Sequence, residues 1–376
     1  MVGRPGSLEV VVIDPGFWRG RKVLLTGHTG FKGAWASLLL EGLGATVDGV
    51  ALEPATERDV FVAADVGGAV RHRVLDIRDR EALLAAVRAA EPEIVLHMAA
   101  QALVRPSYAD PVGTYDTNVM GTVHLLDAVR QVPGVRAVLV VTSDKCYENT
   151  NSPIGYRETD RMGGHDPYSN SKGCAELVTD AFRRSYFGGP GATLIASGRA
   201  GNVIGGGDWS SDRLVPDAIR AFLGHAPLRI RNPGAIRPWQ HVLDPVLGYL
   251  TLLERLSLDG PTLAEGWNFG PSADSEVPVE TVVDGLTRRW GNGARWERDG
   301  ADHPHEANLL KLDCSKASAG LRWRPLLGLD EALDLTVAWY KAQASGADMR
   351  AVTRGQIETV LSRVEDTGHP ARTAGA

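Results

Sequence analysis

A tyrosine and a lysine four positions apart, Tyr168 and Lys172, form the pattern in this sequence with the most direct chemical meaning. Asp166 can cap a helix and Pro167 suits its first position, so both side chains are expected on one face of that helix. A neighbouring ammonium favours the phenolate, which lowers the pKa of the tyrosine and lets it accept a proton from a hydroxyl group. The pair predicts a general base for an alcohol substrate.

Three further reactive side chains follow the apolar run at residues 138–141: Ser143, Asp144 and Lys145. Ligands of open α/β sheets bind beyond the carboxyl ends of the strands, so Ser143 can hydrogen-bond the same hydroxyl as Tyr168. Asp144 and Lys145 add a potential acid and a potential base one residue apart. The sequence leaves their roles open, and an N-cap or a surface ion pair is the alternative explanation.

A glycine-rich turn, GHTGFKG at residues 27–33, separates a predicted strand from a predicted helix. Glycines at these positions allow a tight turn, let backbone N–H groups approach a pyrophosphate, and let the helix pack closely on the sheet. The helix N-terminus then faces the anion with its positive end. A turn followed by a helix cap is the simpler reading, but the strand–loop–helix context favours a dinucleotide site.

Two acidic residues mark where the rest of a dinucleotide would lie. Glu53 follows the second predicted strand, 20 residues after Gly33, where a carboxylate accepts from ribose hydroxyls and repels a 2′-phosphate. It favours NAD over NADP, although a solvated surface glutamate is the alternative. Asp76 follows the third predicted strand and can reach the adenine edge, or it can simply cap a turn.

The elements that must position these residues alternate regularly between short apolar strands and longer helices. This alternation predicts βαβ units, and therefore an α/β fold of the Rossmann type with a doubly wound parallel sheet. The predicted strands cover residues 22–26, 46–52, 73–75, 94–98 and 137–142, and the predicted helices cover 31–43, 80–90 and 114–132.

Beyond residue 200 the sequence becomes richer in Gly, Pro and Asp and contains seven of the nine tryptophans. We interpret this change as a second, smaller and more irregular α/β domain that binds the substrate. The predicted NAD-binding domain covers residues 17–200 and about 232–256. The predicted substrate domain covers 201–231 and 257–345, and the segments 1–16 and 351–376 are predicted terminal extensions.

Composition excludes several classes of function. The 376 residues carry 40 basic and 46 acidic side chains, a net charge of −6, which shows no footprint for nucleic acid. Three widely separated cysteines give neither a metal motif nor a disulfide framework and suit a reducing cytoplasm. No run is long enough for a membrane helix and no signal peptide is recognised. The string His-Pro-His-Glu at residues 303–306 is a poor isolated metal site, so no metal is predicted.

In this order the motifs resemble the extended short-chain dehydrogenase/reductase superfamily and, within it, the CDP-glucose 4,6-dehydratase branch. The resemblance extends from about residue 17 to 341. Lys145 departs from the Asp-Glu pair of related glucose-nucleotide dehydratases, and simple epimerases lack such an acid–base pair. The strings that support it lie at residues 26–33, 97–100, 117–122, 142–147, 166–176, 199–209, 236–242 and 267–271.

The resemblance implies an NAD-dependent lyase that oxidises the sugar at C4, eliminates water across C5 and C6, and returns the hydride to C6. Its catalytic residues would be Ser143, Asp144, Lys145, Tyr168 and Lys172. Its cofactor residues would be Gly27, Thr29, Gly30, Phe31, Lys32, Gly33, Glu53, Asp76, Ile77, Ala99, Ala100 and Asn118, together with Tyr168 and Lys172. Its substrate residues would be Asn202, Arg213, Arg237 and Asn268.

The expected substrate is a nucleotide sugar, with CDP-glucose favoured over dTDP-glucose because of Lys145. The superfamily resemblance also implies a homodimer or a dimer of dimers, joined through the helices at about 114–132 and 168–186. Three alternatives stay open: a dehydratase or epimerase of the same fold acting on another nucleotide sugar or nucleoside, a reductase that consumes NAD(P)H, and a non-catalytic NAD-binding regulator. The intact Ser143, Tyr168 and Lys172 argue against the regulator, since a sensor needs only the glycine loop.

Overall fold

The computed structural model describes residues 13–189, 191–300 and 309–365. Its central feature is a seven-stranded sheet, accompanied by two small sheets of three and two strands. The strands in chain order are β1 (Lys22–Thr26), β2 (Thr46–Ala51), β3 (Arg71–Val74), β4 (Ile94–His97), β5 (Ala137–Val141), β6 (Leu194–Ala200), β7 (Asn202–Ile204), β8 (Leu228–Ile230), β9 (Ile236–His241), β10 (Gly266–Phe269), β11 (Glu276–Pro278) and β12 (Trp296–Arg298).

The large sheet has the strand order β3-β2-β1-β4-β5-β6-β10, and every neighbouring pair is parallel. The predicted doubly wound parallel sheet is therefore confirmed. The order reverses between β1 and β4, so the connections leave these two strands in opposite directions. This switch point opens a crevice beyond their carboxyl ends, which is where such sheets bind ligands.

Helices cover both faces of the sheet. In chain order they are α1 (Pro15–Trp18), α2 (Phe31–Gly42), α3 (Val60–Ala63), α4 (Arg80–Ala90), α5 (Val104–Ala109), α6 (Pro111–Tyr115), α7 (Gly121–Val129), α8 (Pro167–Tyr186), α9 (Leu214–Leu223), α10 (Leu243–Asp259), α11 (Val279–Trp290), α12 (Ser315–Gly320), α13 (Leu329–Ala344) and α14 (Met349–Glu365). No helix in the described ranges is long and apolar enough to cross a membrane.

The apolar strands divide their side chains between two cores. Leu24 and Val95 point into a cluster with residues of α4 and α7, whereas Leu25 and Leu96 point into a larger cluster that includes α2 and α10. Successive residues of a strand face opposite sides of a sheet, so strands buried on both faces must be apolar throughout. This is why the uninterrupted apolar runs in the sequence identify the strands correctly.

The helix predicted over 114–132 is interrupted in the structure. A π-helical turn at Asp116–Met120 separates α6 from α7 and contains the buried Asn118. Such a turn inserts an extra residue per turn, which propensity patterns do not show, and π-turns are frequent at functional sites. From this turn Asn118 hydrogen-bonds the backbone of Gln101 in the loop after β4.

The predicted division into two domains stays a prediction, but two features refine it. Strand β10, from the segment assigned to the substrate domain, extends the large sheet beside β6. The small sheets β11-β9-β7 and β12-β8 belong to the region after residue 200, as the change in sequence texture indicates.

Parts of both predicted terminal extensions pack against the fold. Ile13 is buried and α1 begins with Asp14 as its cap, while α14 contacts α2 through an ion pair between Arg354 and Glu41. These contacts join residues distant in sequence, so local patterns give no sign of them. Residues 1–12 and 366–376 of the extensions lie outside the described residues.

Candidate active site

The glycine turn at residues 27–33 connects β1 to α2 and lies at the switch point of the sheet. Gly27 has φ +79, and a Cβ there would stand 2.6 Å from the backbone nitrogen of Ala99. A Cβ on Gly33 would stand 2.1 Å from the carbonyl oxygen of Gly27. These contacts explain why glycine is needed, and they leave a backbone cradle at the N-terminus of α2 that fits a pyrophosphate.

The side chains of the turn fix it to neighbouring strands. Thr29 Oγ1 donates a hydrogen bond to the Leu52 carbonyl oxygen at 2.9 Å, which ties the turn to the segment after β2. His28 is fully buried, and its Nε2 lies 2.6 Å from Nδ1 of His72 on β3. Burial, together with His72, lowers the pKa of His28 to about 4, so this imidazole is neutral near pH 7.

Lys32 belongs to the glycine turn, but its ammonium group also interacts with residues outside that turn. Burial of its ammonium group lowers its pKa to about 7, and the positive charges of Arg213 and Lys172 contribute to this shift, while Asp144 opposes it. These interactions place Lys32 among the predicted catalytic residues. The sequence prediction treated it only as a cofactor residue; a cation in the first turn of the helix was the available signal.

The residues predicted to hold the adenosine half lie near the carboxyl ends of β2 and β3. Glu53 is exposed just after β2, where it is free to meet ribose hydroxyls. Asp76 accepts from Nε and Nη2 of Arg78, and the side-chain bond from Arg78 is the main cause that lowers the pKa of Asp76. Ile77 is buried, and its carbonyl oxygen lies 3.2 Å from Nδ1 of His124.

The segment after β4 forms the opposite wall of the cofactor crevice. Ala99 and Ala100 are half-buried, and the Ala99 backbone nitrogen donates to Thr26 Oγ1 at 3.2 Å. Asn118 is buried: its Oδ1 accepts from the Gln101 nitrogen, and its Nδ2 donates to the Gln101 carbonyl and to Ser171 Oγ. Asn118 therefore shapes this wall through the backbone of the loop after β4.

Asp144 and Lys145 lie in a 3-10 turn, Asp144–Cys146, that follows β5, and Ser143 is the N-cap of this turn. Ser143 Oγ donates to Asp144 Oδ1 at 2.9 Å and accepts from the Lys145 backbone nitrogen at 3.2 Å. Asp144 is buried, and burial raises its pKa although Lys145, Ser143 and Arg237 oppose the change. Within the described residues its Oδ2 has no hydrogen-bond partner, so this carboxyl group is suited to hold a proton.

Tyr168 and Lys172 lie in the first turns of α8, whose N-cap Asp166 accepts from the Ser169 nitrogen at 2.9 Å. Both are buried, and Lys172 Nζ donates to the Val141 carbonyl oxygen at 3.4 Å, which brings α8 against the end of β5. Burial lowers the pKa of Lys172 to about 8, with Glu176 and Cys146 acting in the opposite direction.

The pKa of Tyr168 differs from the sequence expectation. Burial raises it, because the charged phenolate is poorly solvated there, and Ser143 and the charge of Arg213 lower it in part. The side-chain interaction with Ser143 joins the two predicted catalytic groups. The four-residue spacing correctly places Tyr168 and Lys172 in the same helix. It does not show that the phenol is buried, which is what raises the pKa of Tyr168.

Two predicted substrate residues stand on the β7 and β9 strands of the small sheet. Asn202 pairs with Trp239 and is half-buried, and the half-buried Arg237 contributes a positive charge that acts on Asp144. Arg213 donates to Asp208 Oδ2 at 3.1 Å and to the Ala102 carbonyl at 3.3 Å. The structure therefore places the two arginines around the same crevice as Asp144 and Tyr168.

Asn268 lies behind the crevice, away from the position expected for a ligand contact. It is fully buried, its Oδ1 accepts from Tyr147 Oη at 2.7 Å, and its Nδ2 donates to the Tyr156 and Asp313 carbonyls. Both amide hydrogens and one lone pair of the carbonyl oxygen are thus used within the protein. Asn268 therefore connects Tyr147, Tyr156 and Asp313 inside the protein.

Among residues 13–189, 191–300 and 309–365, no group of three or more His, Cys, Asp or Glu side chains could hold a metal ion. The string at 303–306 lies outside those ranges. The polar groups that converge on the crevice are instead suited to a dinucleotide and to proton transfer.

The doubly wound sheet, the glycine turn and the tyrosine–lysine pair together define a dinucleotide-dependent enzyme of the short-chain dehydrogenase/reductase superfamily. The family model described as GDP-mannose 4,6 dehydratase matches residues 24–336. The chain belongs to this dehydratase family.

The proteins similar to this chain include dehydratases and an epimerase. A curated CDP-glucose 4,6-dehydratase of Salmonella typhimurium is 51% identical over 355 residues, which is 93% of this chain and 99% of the relative. A UDP-glucose 4-epimerase of Thermus thermophilus, solved as a complex with NAD, is 26% identical with a TM-score of 0.72, covering 85% and 98% of the two chains. A dTDP-glucose 4,6-dehydratase of Streptomyces venezuelae, 24% identical with a TM-score of 0.72 over 87% and 99%, shares the fold.

Proposed function

We propose that this protein converts CDP-glucose into CDP-4-keto-6-deoxyglucose and water with the help of tightly held NAD. The observation that carries the proposal is the turn after β5, where a buried carboxyl group with an unpartnered oxygen stands next to Lys145 and faces the tyrosine of α8 across Ser143. An oxidation alone needs only Tyr168, Lys172 and Ser143. The additional acid–base pair supplies what an elimination requires.

The residues of the cofactor crevice fit NAD. The backbone cradle of residues 27–33 would hold the pyrophosphate, and Glu53 would accept from the adenosine ribose hydroxyls. Asp76 and Ile77 would border the adenine, and Ala99, Ala100 and the loop fixed by Asn118 would form the opposite wall. Bound NAD supplies the acceptor for the hydride of C4 and the donor that returns this hydride to C6.

The oxidation step assigns a proton transfer to Tyr168. Its phenolic oxygen accepts the proton of the sugar 4-hydroxyl, while Ser143 hydrogen-bonds the same oxygen. The positive charge of Lys172 offsets the cost of forming the buried phenolate. Burial raises the pKa of Tyr168, and the hydrogen bond from Ser143 and the positive charge of Arg213 act against that rise.

The elimination step divides between the two neighbouring side chains. The 4-ketone acidifies the proton at C5, which Lys145 removes. Asp144 donates a proton to the departing 6-hydroxyl, so that water leaves. Burial raises the pKa of Asp144, which supports the protonated form that this role needs, and Lys145 is the more exposed of the two.

The nucleotide diphosphate carries negative charge that arginines neutralise. Arg237 and Arg213 stand at the crevice, and arginine matches phosphate with a planar fork of donors. Asn202 on the neighbouring strand would complete this contact. We propose these three residues, but not the enclosed Asn268, as substrate contacts.

A homodimer is proposed through α6, the π-turn and α8. Large apolar side chains are exposed on these elements, with Val112 at 77%, Leu177 at 60% and Tyr186 at 57% of their full accessibility. Tyr115, the last residue of α6, and Met120, in the π-turn, extend the same set. A second copy of the chain would remove this apolar surface from water.

A cytoplasmic location is proposed from the thiols. Cys146, Cys174 and Cys314 are all unpaired, which suits a reducing compartment.

In the deciding experiment the purified protein is incubated, without added NAD, with CDP-, dTDP-, UDP- and GDP-glucose. The masses of the products are then measured by mass spectrometry. Loss of one water from CDP-glucose, with no net cofactor reduction, is the expected result. If no substrate loses water even after NAD is supplied, the proposed dehydration is wrong. An epimerised product of unchanged mass, identified by chromatography, would assign the protein to the epimerase alternative.

A further inference from the structure

Glu176 is a buried carboxylate on α8, one helical turn after Lys172. It accepts three side-chain hydrogen bonds. Its Oε1 accepts from Thr142 Oγ1, and its Oε2 accepts from Ser197 Oγ at 2.6 Å and from Arg199 Nη2 at 2.8 Å. The side chains of Glu176 and Arg199 are 4% and 5% exposed, so this ion pair is almost completely removed from water.

These bonds connect the two segments that carry the proposed catalytic groups. Thr142 immediately precedes Ser143 at the end of β5, and Glu176 shares its helix with Tyr168. A shift of α8 against β5 would change the distance between the two groups. Interactions of the Thr142–Glu176 kind hold such distances within the narrow range that proton transfer needs.

Glu176 is also placed to act on the charge of Lys172. The other titratable groups that interact with Lys172 are His97 on β4, Cys146 after β5 and Lys32 on α2. Burial lowers the pKa of His97 to about 3 and raises that of Cys146 well above its usual value, so both are neutral near pH 7. Among these groups Glu176 carries the negative charge, because hydrogen bonds and Arg199 hold its pKa below the usual value despite its burial.

Arg199 extends the connection to the region after residue 200. Its Nη1 donates to Tyr147 Oη at 2.6 Å, and Tyr147 Oη donates to Asn268 on β10. This continuous chain of buried polar groups explains why Asn268 faces inward. It also gives Glu176 a partner whose own position is fixed from two sides.

We propose that Glu176 is a positioning residue of the reaction: it fixes the turn of Ser143 against the helix of Tyr168 and holds positive charge on Lys172 during oxidation at C4. The inference rests on the proposed function for the identity of the reaction. The geometry of the carboxylate and the charge on Lys172 can be tested separately from that function.

Four variants separate the parts of this role. Glu176→Gln removes the charge, and Glu176→Gln combined with Arg199→Met removes the ion pair without leaving a buried unpaired charge. Thr142→Val breaks only the contact with β5. Glu254→Gln is the matched control, because Glu254 is a buried carboxyl group that bonds Asp14 and Trp18 instead.

The first measurement is the titration of Lys172 by NMR of lysine-labelled protein, which needs no substrate. The chain has seven lysines, and Lys172→Arg assigns the relevant signal. We expect Lys172 to titrate about one pH unit lower in Glu176→Gln, because the negative charge of Glu176 raises the pKa of Lys172 and the variant removes that charge. The double variant should show the same direction and answers the question if the single variant does not fold. An unchanged titration in the folded variants would overturn the electrostatic half.

The second measurement is the pH profile of kcat with CDP-glucose. In Glu176→Gln the alkaline limb should move down by about one pH unit, with roughly fivefold loss of kcat at pH 8 and little change in KM. Thr142→Val should lower kcat without moving this limb, and Glu254→Gln should leave the profile unchanged. A loss of kcat with an unmoved limb in Glu176→Gln would overturn the electrostatic half of the proposal. Lack of activity in the wild-type protein would instead refute the proposed function and leave the Lys172 titration as the test.

Discussion

Glu254 on α10 is a buried carboxyl group, and its surroundings determine how much it changes the stability of the protein with pH. Its Oε2 accepts from the Asp14 backbone nitrogen at 3.1 Å and from Trp18 Nε1 at 3.2 Å, which attaches α1 to the body of the protein. The residue is 5% exposed. Burial raises its pKa from 4.5 to about 7, and the two hydrogen bonds compensate only part of that cost.

The sign of the effect on stability follows from proton binding. Between pH 4.5 and about 7 the folded protein keeps a proton on Glu254 that the unfolded chain releases, so stability falls as pH rises through this range. Above pH 7 the full cost of the buried charge is present. The difference between the two pKa values corresponds to at most roughly 3 kcal/mol.

Glu254→Gln keeps an oxygen that can accept from Asp14 and Trp18 but removes the charge. We expect the variant to be more stable than the wild type at pH 8, by up to about 3 kcal/mol, and nearly unchanged at pH 5. The assay is urea unfolding followed by tryptophan fluorescence at both pH values. An equal change at pH 5 and pH 8, or a loss of stability confined to pH 8, would refute the reasoning.

The remaining predictions concern the active site and the dimer. Asp144→Asn removes the proposed acid, so the loss of water from CDP-glucose should slow by at least about 100-fold. Oxidation at C4 should persist, as measured by absorbance in a single turnover, and an equal loss of both steps would contradict the role of Asp144. Gly33→Ala places a Cβ 2.1 Å from the Gly27 carbonyl oxygen and so disturbs the backbone cradle. Calorimetry should show that NAD binds at least about tenfold more weakly, and an unchanged affinity would exclude the proposed cradle. Leu177→Asp places a charge on the exposed apolar face, so light scattering should report monomers; a persistent dimer would require another interface.

The parts of the fold that follow local rules were predictable from the sequence. The helix Arg80–Ala90 has the predicted bounds, because an Asp cap and a 3.6-residue apolar repeat are both local signals. The apolar strands and the glycine turn were predictable for the same reason. The π-turn at Asp116–Met120 was not, since inserting one residue into a helix leaves propensity unchanged.

In the candidate site, too, some features follow from the local sequence and others depend on the packing of distant segments. The four-residue spacing of Tyr168 and Lys172 and the adjacency of Ser143, Asp144 and Lys145 are properties of the chain itself. Their meeting depends on β5 and α8 packing together, which the strand–helix alternation and the rule for carboxyl strand ends already implied. The family resemblance carried by the same motifs agrees with the match of residues 24–336 to the dehydratase family.

By itself the sequence therefore determined which chemical groups are present, which of them share a turn or a helix face, and the family to which they belong. Only the tertiary structure decided how burial alters those groups: it raises the pKa of Tyr168, brings Lys32 into the catalytic cluster and encloses Asn268 behind it. It also brought Glu176 and Arg199, 23 residues apart, into one buried pair. The physical reason is that desolvation and long-range contacts depend on what surrounds a side chain in space, and neighbours along the chain supply only a small part of those surroundings.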